Sequence, residues 1–479
     1  MIDRRSETKN AEIVVIGAGP AGLAAARTAG EAGRTVLVLD EQPAAGGQVW
    51  RNAAEVMRRS DALARSYHGA EAALAGLDND RIDHRPGAVV IDARAEPAGA
   101  TVTWLTREPD GTRRIEETEA AALIVATGAQ ERALAFPGAE LAGVMGIGGV
   151  QTAMKQGGLV PKTPDGAPGL VLAGQGPLLL LTLIQIRALG GRVDAVLDLS
   201  EPGAIRRALP HLPSAIAGDP GLMADGARLL AGAIRGGTRR YRHVTHLRAD
   251  GDDRVEQVRF RSAGREESLP CSILAVHDGV IPNTQVTRLL DLPHEWDEPQ
   301  QAFRPRVLQD GRVDGLPVWI AGDGAGIAGA GMAGRRGADA GRDAAQTVGG
   351  QSVSARSGAS PDGLAARRFI DTLYAPLPVT AHADNETLIC RCEAVTLTSV
   401  RKAIADGGTG PNRVKTFTRC GMGPCQGRMC GNLLTRIIAE ETGEAPDTVG
   451  ALRIRPPLKP VLVADYLASD PAPVPEAVS

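Results

Sequence analysis

Apolar residues in this chain gather in short runs separated by glycine-rich turns and by stretches of helical spacing. Ile13 to Ile16 is a β-branched run, Gly17, Gly19 and Gly22 follow it, and Val36 to Leu39 is apolar again. That pattern predicts a strand, a tight turn, a helix opened by Pro20 and a second strand. Glu55 to Arg65 is polar-apolar in helical fashion, Ala88 to Trp104 alternates like strands, and Ala122 to Ala126 is a buried-type strand ending in Thr127-Gly128. Leu170 to Leu189 is the longest greasy segment, but Gly174, Gln175, Gly176 and Pro177 interrupt it. Strand, turn and helix explain it better than a membrane span. Tyr241 to Leu247 looks like one strand, which sets His243 and His246 on opposite faces and favours solvated or hydrogen-bonded side chains over a shared metal. His277 closes another strand, with a cofactor contact and a capping role both open. Late in the chain, Thr396 to Asp406 and Gly431 to Thr442 predict helices, and Gly407-Gly408 ends the first.

Strands alternating with helices over 479 residues predict an α/β chain of two or three domains. A net charge of -3 with 23% charged residues carries no polyelectrolyte signature, so nucleic-acid binding through phosphate neutralisation is excluded. The opening MIDRRSETKN is polar and lacks a signal peptide's apolar stretch. A cytoplasmic location is expected. There, six cysteines read as metal ligands or free thiols and not as a disulfide framework.

Gly17, Gly19 and Gly22 form G-x-G-x-x-G between a strand and a helix. The first glycine permits the turn, the second lets a diphosphate approach the backbone, and the third lets helix and strand pack closely. Negative charge then sits at the helix N-terminus. Asp40 lies 23 residues after Gly17, near the spacing of an acid that binds a ribose hydroxyl, and either Asp40 or Glu41 suits that role. Just beyond, Gly46-Gly47-Gln48 can close over the diphosphate. A second turn, Gly174-Gln175-Gly176, has Leu179 where the third glycine belongs, and Leu197 and Asp198 at the acid's distance. It reads as a Rossmann scaffold with a decayed fingerprint, structural or holding an NAD-type or adenine nucleotide.

After the polar, turn-rich stretch Gly349 to Gly363 comes the most specific signal. Cys390-Arg391-Cys392 is followed, after 27 residues, by Cys420-Gly421-Met422-Gly423-Pro424-Cys425. Four thiolates so placed can hold zinc or an iron–sulfur cluster. A C-x-C pair is tight for zinc, whereas a two-iron cluster accepts it on one iron, with Gly421 and Gly423 leaving amides free to donate to sulfide. Cys430 reads as a surplus thiol and Cys271 as core.

The order Gly17 to Gly22, then Ala126-Thr127-Gly128, then Val318-Trp319-Ile320-Ala321-Gly322-Asp323 resembles the two-dinucleotide-domain, disulfide-reductase-like flavoproteins. That resemblance implies FAD, with Asp323 on a ribityl hydroxyl and the helix after it aimed at the flavin. Cys390-Arg391-Cys392-Glu393 and Cys420 to Arg428 resemble the bacterioferritin-associated-ferredoxin-like (BFD-like) [2Fe–2S] module. From residue 11 to 460 the chain is similar to the α subunits of heteromeric amino-acid and opine dehydrogenases. This group includes the A subunits of octopine and nopaline oxidases, D-hydroxyproline dehydrogenase, the large subunit of hydrogen cyanide synthase and part of sarcosine oxidase. Asp40 to Pro43, Gly46 to Gln48, Val280 to Thr284 and Ala321 to Ile327 carry the likeness, while Ala328 to Gly331 departs from it.

The likeness implies a partner β subunit of the D-amino-acid-oxidase type, a small third subunit in some members, and an FMN at the interface. It also implies an organisation of 11–135 and 301–348 for FAD, 136–300 for the second Rossmann-like domain, 349–380 as linker, 381–445 for [2Fe–2S] and 446–479 as tail. The expected function is electron transfer within an amine, imino-acid or opine dehydrogenase. A self-sufficient NAD(P)H-dependent reductase and an iron-sensing module are the alternatives.

Overall fold

The computed structural model describes residues 11–64, 66–107, 111–161, 169–351 and 361–469. At its centre is a five-stranded parallel sheet in the order Val318–Ile320, Ala122–Val125, Ile13–Ile16, Val36–Asp40, Ile82–Pro86. Its three inner strands are buried on both faces, which is why they read as unbroken apolar runs. One face is covered by helices Pro20–Glu31 and Ala330–Val348, and the other by an antiparallel meander, Val89–Glu96, Gly99–Arg107 and Arg113–Ala120. The two helices touch through alanine and glycine: a Cβ added at Gly337 would lie 2.0 Å from the Ala21 carbonyl oxygen. Their backbones are therefore in direct contact, and this fixes the start of the first helix against the sheet.

The second unit is a seven-stranded sheet in which Gly169–Gly174 pairs in parallel with Ala195–Asp198 and Arg265–His277. As expected, the greasy stretch from Leu170 divides into a strand and the helix Pro177–Ala188, and among the described residues no helix is long and apolar enough to cross a membrane. Leu179 is buried in the core of this unit. The expected strand across Tyr241 to Leu247 is instead broken: His243 adopts positive φ between strands Arg239–Tyr241 and Thr245–Asp250, and His246 does so within the second, where the register shifts. Both histidines are exposed and hydrogen-bonded, His243 to the Ser200 carbonyl and His246 to Thr245.

Within 349–380, Pro361–Leu373 is a helix packed on the second unit through Ala366 and Phe369. Strands Leu388–Cys390 and Val395–Thr396 and helices Leu397–Ala405, Pro411–Thr418 and Cys430–Thr442 then build a small core with almost no aromatic residues. Thr396 caps the first of these helices by accepting from the Ser399 amide. The expected loose tail from Ser469 falls, from residue 470, outside the described residues. Leu452 belongs to this small core, and the chain then passes onto the first unit, with Ile454 and Leu458 in its core. The architecture is the two-dinucleotide-domain α/β fold with a small C-terminal cysteine domain.

Candidate functional site

The carboxyl ends of the central strands converge on one cradle, the usual place for a ligand in a parallel sheet. Gly17 has φ +103°, and a Cβ on Gly22 would lie 1.8 Å from the Gly17 carbonyl oxygen, so the turn can only be made from glycine. Gly19 and Pro20 open the helix with no side-chain cap, which leaves its first amides pointing into the cradle. The Gly46 amide donates to the Ala18 carbonyl at 2.8 Å, and a Cβ on Gly47 would meet the Gly19 Cα at 2.8 Å. The Gly46-Gly47-Gln48 loop thus lies against the turn, backbone on backbone.

Asp40 and Glu41 separate cleanly. The buried Asp40 carboxylate accepts from the Ala18 amide at 3.1 Å and the Gln42 amide at 2.9 Å. Burial nevertheless raises its pKa, the two amides pulling the other way. Asp40 is a brace for the turn. Glu41 is exposed and pairs with Lys459 at 2.5 Å. Across the cradle the Thr127 hydroxyl donates to the Asn283 carbonyl at 3.1 Å, and the Asn283 amide donates back to the Gly128 carbonyl at 3.0 Å. Gly322 follows the last central strand, and one oxygen of Asp323 accepts from the Ala328 and Gly329 amides at 2.9 and 3.1 Å, leaving the other for a ligand.

The second crevice is built differently. Gln175 is buried, and its carboxamide donates to the Asp278 carboxylate at 2.9 Å and to the Ala375 carbonyl at 2.8 Å. Asp198, where a ribose acid would stand, accepts from the amide and hydroxyl of Ser200. Burial raises the Tyr374 pKa, and the nearby Asp198 charge adds to this. Ala375 therefore sits against the glycine turn and Tyr374 near Asp198, and Leu377 joins the core of the second sheet. Beneath, the Arg132 guanidinium pairs with Asp278 at 3.6 Å and donates to the Gln300 and Gln301 carbonyls, with burial lowering its pKa to about 10. His277 is buried and its Nδ1 is bonded to Glu131 at 2.8 Å.

Five cysteines meet in the small domain. The Sγ atoms of Cys390, Cys420 and Cys430 lie within 4.8 Å of one another, all buried. Cys390 ends a strand, Cys420 follows a helix closed by left-handed Arg419, and Cys430 begins the next helix. Exposed Cys392 is hydrogen-bonded to half-buried Cys425. A Cβ on Gly423 would lie 3.3 Å from the Cys392 Sγ, so this glycine lets the two thiol-bearing segments approach. Hydrogen bonds from Cys420 and Cys430 lower the Cys390 pKa to about 2, while its bond to Cys390 pushes Cys420 up to about 12. Three sulfur atoms so close together are the soft-donor set that suits a thiophilic metal. Cys430, read from sequence as surplus, stands inside the group. Its position at the start of a helix that folds back over the Cys420 loop was the missing signal. Cys271 is core, as expected, with burial raising its pKa to about 12.

The cysteine loop is joined to the cradle's own elements. Gln130, two residues after Gly128, donates to the Arg428 carbonyl at 2.8 Å, and Asn432 donates to the Gln301 carbonyl at 3.0 Å. The thiol site and the cradle therefore share a hydrogen-bonded boundary.

Known proteins share this construction. Residues 11–163 match the pyridine nucleotide-disulphide oxidoreductase family, and residues 384–470 match the sarcosine oxidase A3 domain. Among solved structures, L-proline dehydrogenase from P. horikoshii superposes with a TM-score of 0.65 at 17% identity, covering 95% of this chain and 79% of that one. The HcnB subunit of hydrogen cyanide synthase from Pseudomonas protegens is 30% identical over 95% of this chain and 97% of its own. The opine oxidase A-type subunit of Rhizobium meliloti is 37% identical over 95% of this chain and 86% of its own. With the cradle and the cysteine domain in the same order along nearly the whole length, the chain belongs to the family of opine oxidase A subunits, which are oxidoreductase components.

Proposed function

We propose that this chain is the FAD- and [2Fe–2S]-carrying electron-transfer subunit of a heteromeric amine, imino-acid or opine dehydrogenase. Its electrons come from a substrate-oxidising flavoprotein β subunit of the D-amino-acid-oxidase type, with FMN at the subunit interface. The observation that carries this reading is the pairing of a cluster of buried thiols, bonded through Gln130 to the segment after Gly128, with a second glycine turn whose Gln175 is already engaged by the chain's own Ala375 carbonyl. An NAD(P)H-driven reductase needs that turn free.

Gly17, Gly19, Pro20 and Gly22 would hold the FAD diphosphate, Glu41 the adenosine ribose, Gly46 to Gln48 the outer face, and Thr127, Gly128, Gly322 and Asp323 the flavin half. Cys390, Cys392, Cys420 and Cys425 would hold the cluster, with Cys430 as a further candidate thiolate. When bound, a flavin accepts an electron pair and an iron–sulfur cluster passes single electrons. The chain's own work is positional. The glycine cradle admits phosphate to the backbone, the packed helix pair fixes its angle, and Leu452 covers Gly421, Gly427 and Gly431 and keeps water from the buried thiols.

The test is purification of the native complex with identification of co-eluting chains, flavin and iron analysis, and visible spectra. Bleaching by an imino acid or opine in the complex, and none by NADH, is expected. Bleaching of the isolated chain by NADH, or substrate oxidation by the lone chain, overturns the proposal.

A further inference from the structure

Behind the Gly46-Gly47-Gln48 loop sit two buried cations without an acid. Arg51 is 7% exposed and Lys155 5%. Among the described residues neither forms an ion pair, although the chain carries 56 acidic residues to its 53 Lys and Arg. The Arg51 guanidinium donates to the carboxamide oxygens of Gln42 at 2.5 Å, Gln48 at 2.9 Å and Gln156 at 3.2 Å, while its Nε is buried with no partner. Lys155 donates to the carbonyls of Gln48 and Val49 at 3.1 and 3.3 Å. Every acceptor is neutral. The two cations come from opposite sides, Arg51 from the cradle's loop and Lys155 from helix Ile147–Gly157 of the second unit, and so close the cleft between them.

Burying two like charges against neutral acceptors costs stability that an apolar pair would not. Such an arrangement is stable where negative charge arrives. Its position says which charge. Along the loop, Glu41 marks the adenosine end, Gly47 lies against the diphosphate turn, and Gln48 comes next, toward the second unit. An arginine can only donate, so the Gln48 oxygen faces Arg51 and its NH₂ is left free to donate elsewhere.

We infer that Arg51 and Lys155 form a cationic floor that stabilises negative charge on the bound flavin cofactor, with Arg51 fixing the Gln48 carboxamide as a donor toward it. The charge belongs either to the isoalloxazine ring in its reduced form or to the diphosphate. This rests on the FAD reading above.

The test compares wild-type complex with Lys155→Met, Arg51→Met and the charge-keeping Lys155→Arg, by flavin affinity, flavin midpoint potential and affinity for sulfite, whose adduct places negative charge on the ring. A ring contact predicts a lower potential and sulfite binding weaker by about tenfold or more in both Met variants, restored by Lys155→Arg. A diphosphate contact predicts weaker flavin binding, shared by FAD and ADP, at unchanged potential. Flavin-loaded variants matching wild type in all three overturn the inference alone, whereas wild-type complex devoid of flavin overturns the reading beneath it. Should Arg51→Met fail to fold, Lys155→Met carries the test, since it exchanges one long buried chain for another.

Discussion

At the scale of single residues, charge without a partner and charge fully spent are what distinguish the site. Asp40 and Glu41 are adjacent, and spacing alone cannot choose between them, because the choice is made by which carboxylate the Ala18 and Gln42 amides capture. Asp40→Ala leaves those amides unpaired and is expected to cost about 1–3 kcal/mol, measured by denaturant unfolding. Glu41→Gln loses only an exposed pair with Lys459, worth about 0–1 kcal/mol, and should weaken flavin binding while stability holds. Lys155 makes a pH prediction. Burial, and then the Arg51 charge, lower its pKa from 10.5 to about 8 in the folded chain. Below the lower value both states are protonated and the native state carries the whole burial penalty; between the two the unfolded chain binds more protons, so stability rises with pH. In ligand-free protein, the advantage of Lys155→Met over wild type should therefore shrink, by at most about 3 kcal/mol, as pH climbs from about 8 to 10.5. An advantage independent of pH over that window contradicts the assignment. Nothing in the sequence marked Arg51 or Lys155, since they belong to no motif and their meaning lies in what is missing around them.

At the scale of elements, apolar period and glycine spacing announce the central sheet from the sequence alone. Ile13–Ile16, Val36–Asp40 and Ala122–Val125 fall where the runs predict, because strands covered on both faces cannot hide their composition. Less legible were elements whose partners are distant in sequence. Helix Pro361–Leu373 follows a polar, turn-rich stretch and declares itself only against the second unit, and the break at His243 and His246 depends on left-handed backbone, which stays uncommon for any residue but glycine even though histidine adopts it more often than most. The helix pair under the cradle offers a paired test. Glycine to alanine gains up to about 1 kcal/mol in helix propensity wherever there is room. At Gly334 nothing lies within 4 Å of an added Cβ, so Gly334→Ala should stabilise the fold. At Gly337 the new methyl meets the Ala21 carbonyl oxygen at 2.0 Å, a backbone atom with no rotamer to turn. There overpacking of about 1–3 kcal/mol outweighs the gain, and Gly337→Ala should both lower Tm and weaken flavin binding by tilting the cradle's helix. Equal effects at the two sites would mean that the helices are not in backbone contact.

At the scale of the whole molecule, the cysteine domain is held to the cradle by the chain that follows it. Leu452 closes the glycine-rich thiol loop, Ile454 and Leu458 enter the core under the antiparallel meander, and the Leu458 amide donates to the Ile91 carbonyl at 2.8 Å. Gln426 and Arg428, from the loop itself, donate to the Pro457 and Leu458 carbonyls at 2.6 and 3.2 Å, and Asp465 pairs with Arg113 at 3.1 Å. A stretch that composition describes as a tail is therefore a strap across two units, with its anchor in one and its cover over the other. Leu458 is 2% exposed, and Leu458→Ala should cost about 2–5 kcal/mol. What matters is where that loss is felt. If the strap couples the units, Leu458→Ala will raise amide exchange in residues 421–431 and speed thiol modification of Cys390, Cys420 and Cys430, although Leu458 touches none of them in the core it shares with Val90 and Ala93. Leu452→Ala, which uncovers the loop but leaves the anchor, should speed the same modification without disturbing exchange in the meander. Loosening confined to the meander in Leu458→Ala would show the strap to be a passive terminus and the thiol site to stand on its own core.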